Sequence, residues 1–197
     1  MPWGKPMAKM KSILVNGVVV GEVEATGDLE LDAKVARDFL DERGLLKERH
    51  PAGEIFDAAT AFATTSAHLY ENGLKKNPTI GSSIVPFVVN AAFSIELYLK
   101  ALAKKHQVTL KGHELLKLYE SLPQKAIEEI ESVIPRCAKD RALNEPPNFV
   151  QYLKELNSAF IEWRYIFEKS ESKPIYFEPT IFVMQVLHEA FRCQLKA

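Results

Sequence analysis

The run Ile84–Leu99, IVPFVVNAAFSIELYL, is the strongest constraint on how this chain can fold. It is too apolar to lie on a surface. It is also shorter than the roughly 20 residues a helix needs to cross a bilayer, and it carries Pro86, Asn90 and Glu96. It therefore predicts a buried core helix, from Ile84 to about His106, with Pro86 tolerated in the first turn. A helix buried on most sides requires other helices around it. At 197 residues the chain is long enough for one such core plus a small appendage.

The flanking segments read as those helices. Glu54 to Asn72 predicts one whose face of Ile55, Ala59, Phe62, Ser66 and Leu69 is rich in small residues, permitting close approach. A short helix follows over His113 to Ser121. Pro123 opens another to about Leu143, with Pro135 expected to kink or break it. From Asn148 to about Lys169, Phe149, Tyr152, Leu153, Leu156, Phe160, Trp163 and Phe167 form one stripe at helical spacing. SESKPIYFEP predicts a loop, with a short strand at Ile175–Glu178. The last helix, Thr180 to about Lys196, turns Met184, Leu187, Phe191 and Leu195 inward. Gln185, Glu189, Arg192 and Lys196 lie on its wet face.

The N-terminal part is different. After a flexible stretch over 1–11, Asn16-Gly17 between apolar runs is a strong hairpin signal, because a type I′ turn needs positive φ at both central positions. It predicts strands at Ser12–Val15 and Val18–Glu24. A helix follows, capped by Asp28 and ended by Gly44, with Leu31, Val35, Ala36, Phe39 and Leu40 on its apolar face. Residues 12–47 thus form a ββα extension. A break over Lys47–Gly53 separates it from the helices of 54–197. The fold class is mainly α: an up-and-down bundle of five to six helices with a small N-terminal ββα extension.

Composition narrows function by exclusion. The formal net charge is −1, which excludes a wholly basic nucleic-acid coat. Two isolated cysteines, Cys137 and Cys193, and the absence of a signal-peptide pattern predict a reduced, cytoplasmic protein without a membrane partner. There is no P-loop and no G-x-G-x-x-G. Gly81-Ser82-Ser83 lacks the second glycine of a nucleophile elbow, and His113-Glu114-Leu115-Leu116-Lys117 has Lys where a zinc-binding helix needs its second His. Neither a metal nor a cofactor is expected.

The candidate site residues are polar groups within apolar helices. Glu96 and Lys100 share one side of the core helix, nearly opposite Asn90 and Ser94, so one pair must face protein. Glu96 is expected either to pair with Lys100 at i, i+4 or to orient a cation from a neighbouring helix, Arg164 being the candidate. Arg164 lies on the flank of the aromatic stripe beside Trp163, near Asn157. His188 falls in the apolar stripe of the last helix and reads as a core histidine. His113 reads as a capping residue or a titratable group in a crevice, and His68 as surface. Charge is uneven, with a net of +4 from Lys100 to Lys125 and −5 from Glu22 to Glu48. Lys100, Lys104, Lys105 and Lys111 could follow a phosphate backbone or simply sit well for the helix dipole.

NAAFSIELYLKALAKKH, KGHELLKLYESLP and AFIEWRYIFEK, in that order, resemble the HEPN superfamily of bacterial helical-bundle proteins. The resemblance covers about 54–197. It implies a homodimer and an association with toxin–antitoxin, phage-defence or stress systems. Many such proteins are metal-independent ribonucleases, in which an Arg and a His separated by about four to six residues act on the RNA 2′-OH and phosphate. Here only Arg43–His50 has that spacing, within the N-terminal extension. The positions matching the family's motifs are Ser94, Glu96, Lys100, His113 and Arg164.

Three functions follow as expectations. The first is a non-catalytic binding or adaptor module for RNA, a nucleotide or a protein partner, its ligand phosphate met by Glu96, Lys100, Lys104 and Asn157. The second is a divergent metal-independent endoribonuclease using His113 and Arg164 as catalytic residues. The third is a purely structural dimer subunit.

Overall fold

The computed structural model describes residues 9–15, 17–46, 50–157 and 176–193. Among these the chain is mainly helical and divides into two compact units, Met1–Arg49 and His50–Ala197.

The first unit is a hairpin and one helix. β1 (Lys9–Val15) pairs antiparallel with β2 (Val18–Ala25), and α1 (Leu29–Glu42) follows. β1 begins within the stretch expected to be flexible. The turn has Gly17 at φ 80°, as a type I′ geometry requires; Asn16 lies outside the described residues. Val20 is an extra residue in β2, because Ile13 pairs with Gly21 while Leu14 pairs with Val19. Asp28 caps α1 by accepting from the N–H groups of Glu30 and Leu31. Phe39 of α1 lies so close over Gly21 that a Cβ there would stand 2.2 Å from the ring tip. The fastening of this unit is largely polar. Asp32 accepts from Lys11 Nζ (2.7 Å), Thr26 N–H (2.6 Å) and Thr26 Oγ1 (2.7 Å). These donors, the Lys11 bond foremost, hold its pKa down to about 2. The expected apolar face is less covered than its periodicity suggests, since Leu31 and Val35 are exposed.

The second unit is the bundle. Its six α-helices among the described residues are α2 (Pro51–Leu69), α3 (Ile84–Lys105), α4 (Leu115–Glu120), α5 (Gln124–Asp140), α6 (Phe149–Leu156) and α7 (Phe177–Arg192). α2 starts at Pro51, earlier than expected, because proline suits a first helical turn and the His50 ring accepts from the Ala52 N–H. It passes into a π-helical turn over Tyr70–Leu74. α5 runs unbroken through Pro135, contrary to expectation. Pro135 is exposed, so the carbonyl it leaves unbonded can be met by water. The expected strand at Ile175–Glu178 is replaced at Phe177 by the start of α7; Ile175 lies outside the described residues.

α3 is the axis of the bundle. By length and composition Gly81–Lys105 could cross a membrane, but over half of its most apolar window is buried inside the fold. It pairs antiparallel with α2 through two serines. Ser94 Oγ donates to the Ala59 carbonyl of α2 (2.9 Å), and Ser66 Oγ of α2 shares its proton between the Phe62 carbonyl of its own helix (3.1 Å) and the Phe87 carbonyl of α3 (3.4 Å). Ala59, Ser66, Ala91 and Ser94 are all fully or almost fully buried, so the helices meet through small residues as the sequence predicts. On its other side α3 places Ile95, Leu99 and Leu102 in a core shared with Phe182, Val183 and Leu187 of α7 and Ile130 of α5.

Candidate phosphate-binding site

The site forms where the connection leaving α3 doubles back along it. α3 ends in a Schellman motif: the Gln107 N–H bonds the Lys104 carbonyl, the Val108 N–H bonds that of Ala103, and Gln107 takes φ 63°. The chain then reverses. Lys104 Nζ lies 3.4 Å from Thr109 Oγ1, and Glu96 lies against His113. From residue 96 to 104 a helix rises about 12 Å, and an extended chain from 109 to 113 spans about 13 Å. The two contacts therefore run the connection antiparallel to α3, Thr109 beside Lys104 and His113 beside Glu96, and Lys111 on the strap between them is exposed. Gly112, at φ 93°, makes the turn that delivers His113.

Glu96 is buried at 2% exposure, yet its carboxylate is well served. Oε1 accepts from Lys100 Nζ at 2.7 Å. His113 Nδ1 approaches both oxygens, at 3.0 and 3.2 Å. A carboxylate only accepts, so Nδ1 carries the proton and Nε2 stands at the far edge of a ring that is 67% exposed. One buried carboxylate thus holds a lysine and a histidine from different segments, and both reach water. The arrangement suits an anion: Lys100 offsets the charge of Glu96, and Lys104 and Lys111 add positive charge on α3 and on the connection after it. An imidazole oriented by a carboxylate can also move a proton at Nε2.

The expected residues are brought together in part. Glu96, Lys100 and His113 converge, with Lys104 one turn further along α3. Glu96 pairs with its i, i+4 lysine, the first of the two partners considered for it, and also meets His113, which was not considered as its partner. His113 precedes α4 instead of opening it, Glu114 being the N-cap residue. Asn157 uses its Oδ1 to accept from the Leu116 N–H (2.9 Å), tying α6 to the first turn of α4 three residues from His113. Arg164, with Phe160, Trp163 and Phe167, lies outside the described residues. Lys105 leaves the proposed basic cluster. Its Nζ donates to Glu129 Oε1 and to the carbonyls of Phe191 and Cys193, each at 2.9 Å, which uses all three of its protons.

Two polar clusters were missed from sequence. Buried Glu129 accepts from Lys105 and lies 3.2 Å from His106 Nε2. The available signal was phase, because Glu129 falls between Ala126 and Val133 on the buried stripe of α5. The second cluster joins three helices. Thr60 Oγ1 donates to the Phe56 carbonyl, and Tyr98 OH donates to Thr60 Oγ1. The single tyrosine proton is then spent, so His188 Nδ1 is the donor to Tyr98 Oη at 3.0 Å. Burial lowers the pKa of His188 and raises that of Tyr98, keeping both neutral near neutral pH.

Among the described residues, no group of three His, Cys, Asp or Glu side chains is placed to hold a metal ion. Comparison with family models, with curated proteins and with solved structures finds no match.

Proposed function

We propose that the helical unit is a HEPN-like, non-catalytic binding module that receives the phosphate of an RNA or nucleotide at the Glu96–Lys100–His113 cluster. The observation that carries this reading is the buried Glu96 carboxylate holding Lys100 and His113 together at the surface. Exposed Lys111, on the strap beside them, extends the positive charge along a line that a phosphate backbone could follow. The sequence resemblance supplies the class of ligand.

The test is binding of labelled mixed-sequence RNA and of a nucleotide in excess EDTA, across a salt series. Binding that weakens with salt, without cleavage, is expected. Lys111→Ala should weaken it for all sequences alike and reduce the salt slope by about one. Binding to neither ligand would overturn the reading.

One observation favours a second reading, a divergent metal-independent ribonuclease. His113 Nδ1 faces a carboxylate, as a general base requires. On that reading the same RNA is cut in EDTA, and His113→Ala and Arg164→Ala each abolish cutting while remaining folded.

A further inference from the structure

The described residues of the N-terminal unit form little core of their own. Among the described residues, Val23 is its one buried apolar side chain, whereas nine of the twelve exposed large apolar side chains lie between Met10 and Leu46. A two-stranded hairpin alone is marginal, and here α1 covers only one of its faces, leaving Met10, Ser12, Leu14 and Val19 exposed on the other.

Among the described residues neither outer strand edge is paired, and the two edges are not equivalent. β2 carries the bulge at Val20 and two glutamates, Glu22 and Glu24, which are devices that blunt an edge. β1 is regular over Lys9–Val15. Of its two lysines, Lys11 is turned onto Asp32 of its own unit and no longer guards the edge. The face away from α1 is exposed, with Met10, Ser12 and Leu14 on β1 and Val19 beside Leu14.

We infer that β1 pairs antiparallel with β1 of a second copy of this chain, about a two-fold axis at Ser12, giving a four-stranded sheet of order β2-β1-β1-β2. The charge pattern selects this occupant. In that register Met10 faces Leu14 of the other copy, Lys11 faces Ile13, Lys9 faces Val15, and Ser12 faces itself, so no like charges oppose. Each exposed Leu14 then sits between Val19 of its own copy and Met10 of the other, as stabilising cross-strand pairs do. A two-fold contact of this kind closes on itself and leaves only the blunted β2 edges outside. The inference is independent of any role for the Glu96 cluster.

The full-length chain tests it. Facing Cα atoms in an antiparallel pair lie about 4.5–5.5 Å apart, within disulfide range. In a Cys193→Ser background, oxidised Ser12→Cys should therefore form a covalent dimer, and Glu22→Cys, on the far strand, should not. Met10→Lys with Leu14→Lys places lysine opposite lysine at two exposed positions. It should raise the dimer dissociation constant by about thirtyfold or more in sedimentation equilibrium. A chain that stays monomeric at all concentrations overturns the inference. So does a dimer that is indifferent to the lysine pair and cross-links no better at position 12 than at 22.

Discussion

His188 shows how a single side chain can couple stability to pH. Its ring lies tilted against Phe56 and donates to Tyr98, and burial is the largest cause of its lowered pKa. The unfolded chain therefore takes up a proton first as pH falls. The stabilisation from neutral His188 is complete above the unfolded value of about 6.5 and is lost as pH drops from there toward the lower folded value. His188→Gln removes that titration. The drop in thermal midpoint between pH 7.5 and pH 5 should be smaller in the variant than in the parent, whatever its absolute stability. An equal drop in both would show that the ring is hydrated. Position 188 in the apolar stripe identified this residue from sequence. Its partners could not be identified, because Tyr98 and Thr60 lie on other helices and only packing brings them within reach.

At the scale of the element, the helix ends and the serine contacts make separate claims. α5 closes with the same Schellman geometry as α3, Ala142 standing at φ 54° with its N–H on the Lys139 carbonyl. A left-handed conformation costs a residue with a Cβ about 1–2 kcal/mol. Ala142→Gly should accordingly stabilise the protein by about 0.5–1 kcal/mol in urea denaturation, even though glycine also loosens the unfolded chain. The α2–α3 contact allows the opposite manipulation. Ser94 is fully buried and donates to the Ala59 carbonyl. Ser94→Ala should cost about 1 kcal/mol for the lost bond. Ser94→Val should cost about 2–4 kcal/mol, because added bulk must also push the helices apart. Similar losses for both variants would mean that the helices are not in close contact there. This level was the most legible. Small residues at helical spacing identified the contact face of α2, and the apolar run identified α3. The missed features have local causes: an exposed proline leaves a helix unbroken, and a proline at a first turn lengthens one.

For the molecule as a whole, Lys105 links helices that are distant in sequence. It leaves the end of α3, neutralises Glu129 on α5 and bonds the last carbonyls of α7. Lys105→Met keeps the stem but leaves Glu129 with His106 alone and two carbonyls without their donor. A loss of about 2–3 kcal/mol is expected, with faster amide exchange at the C-terminal turn of α7. Exchange that changes nowhere near α7 would dissociate that helix end from the lysine. Sequence could place Lys105 only in a basic cluster, since charge runs do not reveal which head group turns inward. It also placed Glu96, Lys100 and His113 among the candidates, without showing that they meet.

The strap between His106 and His113 measures distance. Both terminal imidazoles lie against buried glutamates, Glu129 at one end and Glu96 at the other. Its span is therefore set by the separation of two points in the core, and the number of residues in it has one correct value. Changing a side chain at Thr109 should be tolerated. Adding or removing one residue there should slip His113 off Glu96 while the bundle still folds, so that the spacing can be altered independently of the chemistry at either end.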